Sequence, residues 1–343
     1  MPVSRSAEPG SPLLAHRSSL GCAHPVPSTL GENVRVFVDC DPGIDDALAL
    51  AYLSAQPEVE IAGIGAVFGN NTVRQTTDNA LRLVELYGCP ETPVASGAAR
   101  PLVQPPKPSE HVHGANGLGN VETPAPHGSP AAESAAELLV RLARSDPGEI
   151  DVLAIGPLTN LALALGLEPE LPKLVRRVVI MGGAVRVPGN LTPWAEANIV
   201  NDPEAAEVVL AAGFQATLVA LDVTMKTVAP GAWLDELKTV SGERARLASR
   251  FLEFYTGWYS EVFGVRQCAM HDPLAAAILV DPALVTDAVE VGVRVELKGE
   301  HTRGLTIADL RPNADPSDQR PKLTLATEAD GPALLKRMLD ALR

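Results

Sequence analysis

The residues whose types and spacing could do chemistry lie in one short stretch, Asp39-Cys40-Asp41-Pro42-Gly43-Ile44-Asp45-Asp46. Four carboxylates within eight residues cannot all stay ionised in a cleft without a cation, because like charges a few ångströms apart repel strongly. Two arrangements relieve them. A hard divalent metal can be bound by oxygen ligands, or the acids can turn apart into solvent, where an Asp merely caps a helix. Alternation along an extended chain puts Asp39 and Asp41 on one face, and the Asp45-Asp46 pair waits just across the Pro-Gly turn. A metal site is the better reading.

The elements around this stretch must position it. Val34, Val36, Phe37 and Val38 read as a buried strand, Pro42-Gly43 breaks it, and residues 47–53 read as the helix that follows. The acids therefore stand at a strand's carboxyl end and in a helix's first turn, where open α/β sheets place their ligand crevices. From Val34 onward strand-like and helix-like segments alternate, which predicts βαβ units and a mainly parallel sheet. Further strands are expected at 59–68, around Val94, at 150–155, 175–181 and 216–221, and after Val285, some of these last antiparallel. Helices are expected at 72–87, 131–144, 203–212, 247–263 and 332–342, with a short one ending at Leu167 and another opened by Met270-His271-Asp272-Pro273. Asp272 is placed there to cap the helix or to bind something. Two irregular stretches, 98–130 and 184–202, are long enough to be functional. Polar residues gather behind the expected strand ends: Asn70, the Gly156–Asn160 turn, Asn190, Glu196 and Asn198, then His271-Asp272. In a parallel sheet these ends share one edge, so the groups can converge.

Composition narrows the partners. A net charge of −14 argues against nucleic acid, which needs a basic surface. No uninterrupted apolar run approaches the roughly 20 residues that cross a bilayer. Cys22, Cys40, Cys89 and Cys268 form no CxxC pair, so neither a zinc ribbon nor a disulfide framework is indicated, and a reducing cytoplasm is the simplest setting. Residues 1–32, rich in Pro, Ser, Gly and Ala, read as a disordered leader or an over-extended start. Their longest apolar run, 12–15, is too short for a secretory signal. Residues 33–343 show no dividing linker and read as one domain.

The run Asp-Cys-Asp-Pro-Gly-Ile-Asp-Asp-Ala at 39–47 resembles the signature of the nucleoside hydrolase family, the inosine–uridine-preferring ribohydrolases. Gly69-Asn70, His113-Gly114 with Gly117-Leu118-Gly119, Gly156-Pro157-Leu158-Thr159-Asn160, Met181-Gly182-Gly183, Gly189-Asn190 with Glu196 and Asn198, and His271-Asp272-Pro273 are similar in order and spacing. The resemblance covers the chain from about Val34 onward. It implies a single α/β domain, Rossmann-like, with an open, mixed, mainly parallel sheet and helices on both faces. It also implies a hydrolase that splits ribonucleosides into base and ribose in nucleoside salvage, as a homodimer or homotetramer.

Carried over by motif, the resemblance implies a Ca²⁺ ion held by Asp41, Asp45, Asp46 and Asp272 and by the main-chain oxygen of Ile155, with Asp39 orienting the ligands from behind. A Ca²⁺-activated water would be the nucleophile, Asp41 its general base and His271 the acid for the leaving base. Asn70, Asn190, Glu196 and Asn198 would grip the ribose hydroxyls, and His113, Tyr255 and Tyr259 would meet the base. His111 has no family match and reads as an exposed loop histidine. Trp194, in the ribose loop, either stacks on a ring or anchors the loop. A rival exists in metal-dependent phosphohydrolases of the haloacid-dehalogenase type, which also begin with an Asp-x-Asp strand end. The residues Pro42 to Asp46 depart from that pattern, and no well-placed Lys follows.

Overall fold

Alternation in β1, Val34–Cys40, sends Val34, Val36, Val38 and Cys40 into one apolar core and Phe37 into another. Successive side chains of a strand point to opposite faces, so a strand apolar on both sides must lie inside a sheet that is covered twice. The computed structural model, which describes residues 33–315 and 317–343, shows this arrangement; the expected leader at residues 1–32 lies outside the described residues. The remaining strands are β2 (Val59–Ala66), β3 (Val94–Ser96), β4 (Ile150–Ala154), β5 (Arg177–Met181), β6 (Ala216–Val219), β7 (Val228–Pro230), β8 (Gln267–Ala269), β9 (Val285–Val295), β10 (Thr306–Ala308) and β11 (Lys322–Ala329).

Nine of them form one sheet in the order β10-β9-β11-β6-β5-β4-β1-β2-β3. All pairings from β11 across to β3 are parallel, and β9 pairs antiparallel with both β11 and β10. Helices Ile44–Ser54, Glu243–Phe263, His271–Val280 and Gly331–Leu342 bury their apolar residues in the core on one face. Helices Ala135–Ser145, Thr159–Leu167 and Pro203–Leu210 cover the other face. The chain winds outward from β1 through β2 to β3, then returns to add β4 on the opposite side of β1. Such a reversal opens a crevice beyond the strands' carboxyl ends. The acidic stretch leaves β1 at that reversal.

Several boundaries differ from the sequence expectations, and side-chain bonds to backbone explain most of them. The first helix starts at Ile44, not Ala47, because the Gly43 N–H donates to Asp46 Oδ2 at 2.8 Å and closes its first turn. The helix expected from Ala131 starts at Ala135, where Ser134 and Glu137 cap reciprocally. The strand expected to reach Leu221 ends at Val219, and residues Leu221–Thr224 coil into a short helix. The irregular stretches contain short helices at Glu110–His113 and Ala197–Asn201. Elements of four or five residues show no periodicity to read. The helix His271–Val280 has Met270 as its N-cap with no side-chain cap bond, so Asp272 does not serve as the cap and its carboxylate is left for other work.

Candidate active site

The floor of the site is built by the ends of β1, β2, β4 and β5 and by two helix starts. Asp45 and Asp46 enter on helix Ile44–Ser54 and Asp272 on helix His271–Val280. Carboxylate oxygens of Asp45, Asp46 and Asp272 come within 4.8 Å of one another, and all three residues are buried. Asp41 stands beside this trio: its Oδ2 accepts the Asn70 N–H at 2.6 Å, while its Oδ1 is buried without a partner. Asp45 Oδ1 is likewise buried without a hydrogen bond, with His113 Nδ1 3.8 Å away. Asp39 sits behind them, its Oδ1 accepting from Asn160 Nδ2 at 2.7 Å. That bond gives the Gly156–Asn160 turn its role, since Asn160 also accepts the Ala98 N–H and ties two loops together.

Burial, then the neighbouring carboxylates, pushes the Asp41 and Asp272 carboxyls well above the usual range. Burial and the charge of Asp45 push Asp46 up to about 7, and burial raises Asp45. Asp39 is pushed up to about 7 by burial, against the Asn160 bond that lowers it. A bound cation would offset the burial and mutual repulsion that raise these carboxyls, and so displace their protons. The all-oxygen donor set with two orphaned carboxylate oxygens therefore fits a hard divalent metal.

Two histidines, His113 and His271, line the cavity above this floor. His113 accepts the Ile44 N–H on Nδ1 at 3.1 Å, which places its proton on Nε2. Burial, aided by His111, holds it down to about 3, so the ring is neutral. His271 is bonded on both sides, Nδ1 to Thr224 Oγ1 at 2.8 Å and Nε2 to the Tyr259 hydroxyl at 3.1 Å. Burial lowers its pKa, partly offset by Asp45. Tyr255 stacks on His113 with ring centres 5.7 Å apart and meets Tyr259 edge-on at 5.0 Å. These rings and the floor enclose a cavity of about 590 Å³, within the range of small-molecule sites.

The cavity brings together Asp45, Asn70, His113, Ile155, Asn190, Glu196, Asn198, Tyr255, Tyr259, His271 and Asp272. The polar groups are partly committed. Asn70 Nδ2 donates to Asp41 O and Asp46 Oδ2, both at 3.2 Å. Asn198 Nδ2 donates to Ile155 O and Met181 O, both at 3.1 Å. Asn190 Oδ1 accepts the Ala197 N–H at 2.9 Å. Glu196 accepts the N–H groups of Gly183, Asn198 and Ile199, and so caps helix Ala197–Asn201. Trp194 is 51% exposed and does not line the cavity. His111 is exposed as expected, yet it lines the mouth and meets Trp258 edge-on. Sequence reasoning missed Trp258, Phe263, Met225 and Thr224; of these only Trp258 and Phe263 had a signal, as aromatics on the helix that carries Tyr255 and Tyr259.

One glycine is required by the floor. A Cβ added at Gly69 would lie 1.9 Å from Asp41 Oδ2. Gly69→Ala is therefore expected to push Asp41 aside, lowering kcat by about 100-fold, the cost of an ångström-scale misplacement, and to lower the melting temperature as well, because the clash is buried. Steady-state rates alongside a thermal melt check it.

The fold and this acidic, ring-walled crevice define an α/β enzyme whose ligand lies beyond the strands' carboxyl ends. The family model of the inosine-uridine preferring nucleoside hydrolases matches residues 36–336. A uridine nucleosidase 1 of Arabidopsis thaliana is 41% identical over 271 residues, covering 79% of this chain and 80% of that protein. A solved plant nucleoside hydrolase superposes with a TM-score of 0.87 at 32% identity, covering 90% of this chain and 99% of the other. A purine-preferring ribonucleoside hydrolase from Gardnerella vaginalis superposes with a TM-score of 0.84, also at 32% identity, covering 90% and 98%. The chain belongs to the nucleoside hydrolase family and is a hydrolase of nucleoside N-glycosyl bonds.

Proposed function

We propose that the protein cleaves ribonucleosides to free base and ribose, with Asp41 as general base toward the attacking water and His271 as the acid for the departing base. The observation that carries this reading is the buried, unpartnered Asp41 Oδ1 beside the Asp45, Asp46 and Asp272 trio, beneath a wall that holds His271. Asp41, Asp45, Asp46, Asp272 and the main-chain oxygen of Ile155 would hold Ca²⁺, whose preference is for many oxygen ligands. When bound it supplies acidification of a ligated water and neutralises the crowded carboxylates.

The side chains do the rest. Asp41 Oδ1 takes the proton that the water loses as it attacks C1′. The acidic floor stabilises the positive charge that develops on the sugar. Asn70 and Asn198, their amide nitrogens already committed, offer oxygens to the ribose hydroxyls, whereas Asn190 offers its amide nitrogen. Glu196 accepts from backbone on both oxygens, so it contributes charge and position with a spare lone pair. His271, in the protonated form that the charge of Asp45 favours, gives a proton toward the leaving base by way of the Tyr259 hydroxyl bonded to its Nε2. It is left as the neutral ring, with Nδ1 held by Thr224. Tyr255 and the neutral His113 offer faces for the base.

Relatives near 40% identity carry uridine in their names, so uridine is the first substrate we propose, with purine nucleosides also accepted. A homodimer or homotetramer serving nucleoside salvage in the cytoplasm completes the reading; among the described residues no helix is long and apolar enough to cross a membrane. A reducing-sugar assay on a nucleoside panel tests it: ribose should be released, lost on chelation and restored by Ca²⁺. Phosphate release from esters, with no ribose from any nucleoside, overturns it.

The acidic floor also sets a stability signature. Its carboxyls hold protons in the fold at a pH where the unfolded chain has released them, with Asp46 at about 7. The chelated protein should therefore lose stability as pH rises from about 4 through 7. At pH 7.5, Ca²⁺ at 100 times its Kd should restore about 2.7 kcal/mol, or about 5 °C in melting temperature. A thermal melt that ignores both Ca²⁺ and pH contradicts the metal assignment.

A further inference from the structure

We propose that Asp222 is a positioning residue that fixes the ribose-side loop to the same short helix that holds His271. This inference rests on the hydrolase reading above. Asp222 is 5% exposed and does not line the cavity. Its Oδ2 accepts the Val185 N–H and its Oδ1 the Arg186 N–H, each at 2.9 Å. Two successive backbone N–H groups thus wrap one carboxylate, a geometry suited to an anion. A second strap runs beside it, from the Leu221 N–H to Gly183 O at 2.9 Å.

Beyond these straps the loop turns into the cavity as Val187, Gly189 and Asn190. Its far end is held separately, where Asn190 Oδ1 accepts the Ala197 N–H. At the other end of helix Leu221–Thr224, Thr224 Oγ1 meets His271 Nδ1 at 2.8 Å. One four-residue helix therefore references both the group that grips the sugar and the group that protonates the base. Burying a carboxylate is costly, and both of its charge-assisted bonds are directed at this loop. The distance between Asn190 and His271 is set through this helix.

The test uses the full-length, Ca²⁺-loaded protein with Asp222→Asn, which keeps the shape and one acceptor, and Asp222→Ala. Both are assayed on uridine and on p-nitrophenyl riboside. Because both substrates carry the ribose, KM should rise on both, by about 10-fold for Asn and up to about 100-fold for Ala, the scale of an ångström misplacement. Thr224→Val should instead lower kcat on uridine alone. Backbone hydrogen exchange reads the clamp without turnover: it should rise in residues 183–191 and stay unchanged in β1, β4 and β5. Unchanged KM or unchanged loop exchange in Asp222→Ala overturns the proposal. Exchange rising throughout the sheet in both variants also overturns it, since that marks a structural role only. If the wild-type enzyme releases no ribose from any nucleoside, the hydrolase reading fails, while the exchange result still decides the clamp.

Discussion

Asp41→Asn is expected to lower kcat on uridine by about 10³-fold, the middle of the range for a lost general base, while leaving the melting temperature within a few degrees of wild type. The expectation follows from the two oxygens of this carboxylate. Oδ2 is committed to the Asn70 N–H, and the amide of the variant can keep that bond. Oδ1 is buried without a hydrogen-bond partner, and the general-base proposal assigns the water's proton to that atom. An amide cannot accept one. Asp41→Ala should lose as much activity and more stability, because the Asn70 N–H is then left unbonded. A rate near wild type in Asp41→Asn, with the protein folded, makes the general-base assignment wrong.

The second large effect separates the two halves of the chemistry. His271→Ala is expected to reduce kcat on uridine or inosine by about 10²- to 10⁴-fold, as loss of a general acid does. On p-nitrophenyl riboside it should cost little, because nitrophenolate leaves without a proton. His271 Nε2 meets the Tyr259 hydroxyl and Nδ1 meets Thr224, so Tyr259→Phe should show the same pattern in weaker form. Equal losses on both substrates would show that His271 supports the pocket instead of protonating the base.

Much of the fold was legible because its causes are local. The apolar alternation of Val34 to Cys40, repeated between helical segments, predicts a doubly covered parallel sheet, and the observed order with β1 at the reversal agrees with it. The acids were legible for the same reason, packed into eight residues across one turn. What stayed hidden depends on partners far apart in sequence. Thr224 approaches His271 from 47 residues away and carries no signal of its own. Glu196 was expected to hold ribose, yet it also caps helix Ala197–Asn201, a five-residue element without periodicity. Trp194 and Trp258 are both tryptophans in promising places, but only the second borders the cavity. Burial of a single aromatic is decided by tertiary packing.

The floor and the wall of the site are carried by different elements of one core. The carboxylates hang from β1 and from two helix starts packed in the main core, so a substitution that moves them also disturbs the core that folds the chain. The rings proposed to meet the base come from one face of helix Glu243–Phe263 and from the short helix Glu110–His113; Tyr255, Tyr259 and His113 are buried, whereas His111 and Phe263 are exposed. Selection can therefore rework the exposed rings of the wall, His111 and Phe263, without touching the carboxylates of the floor. Uridine and purine preferences among relatives of one architecture are what such a division of labour allows.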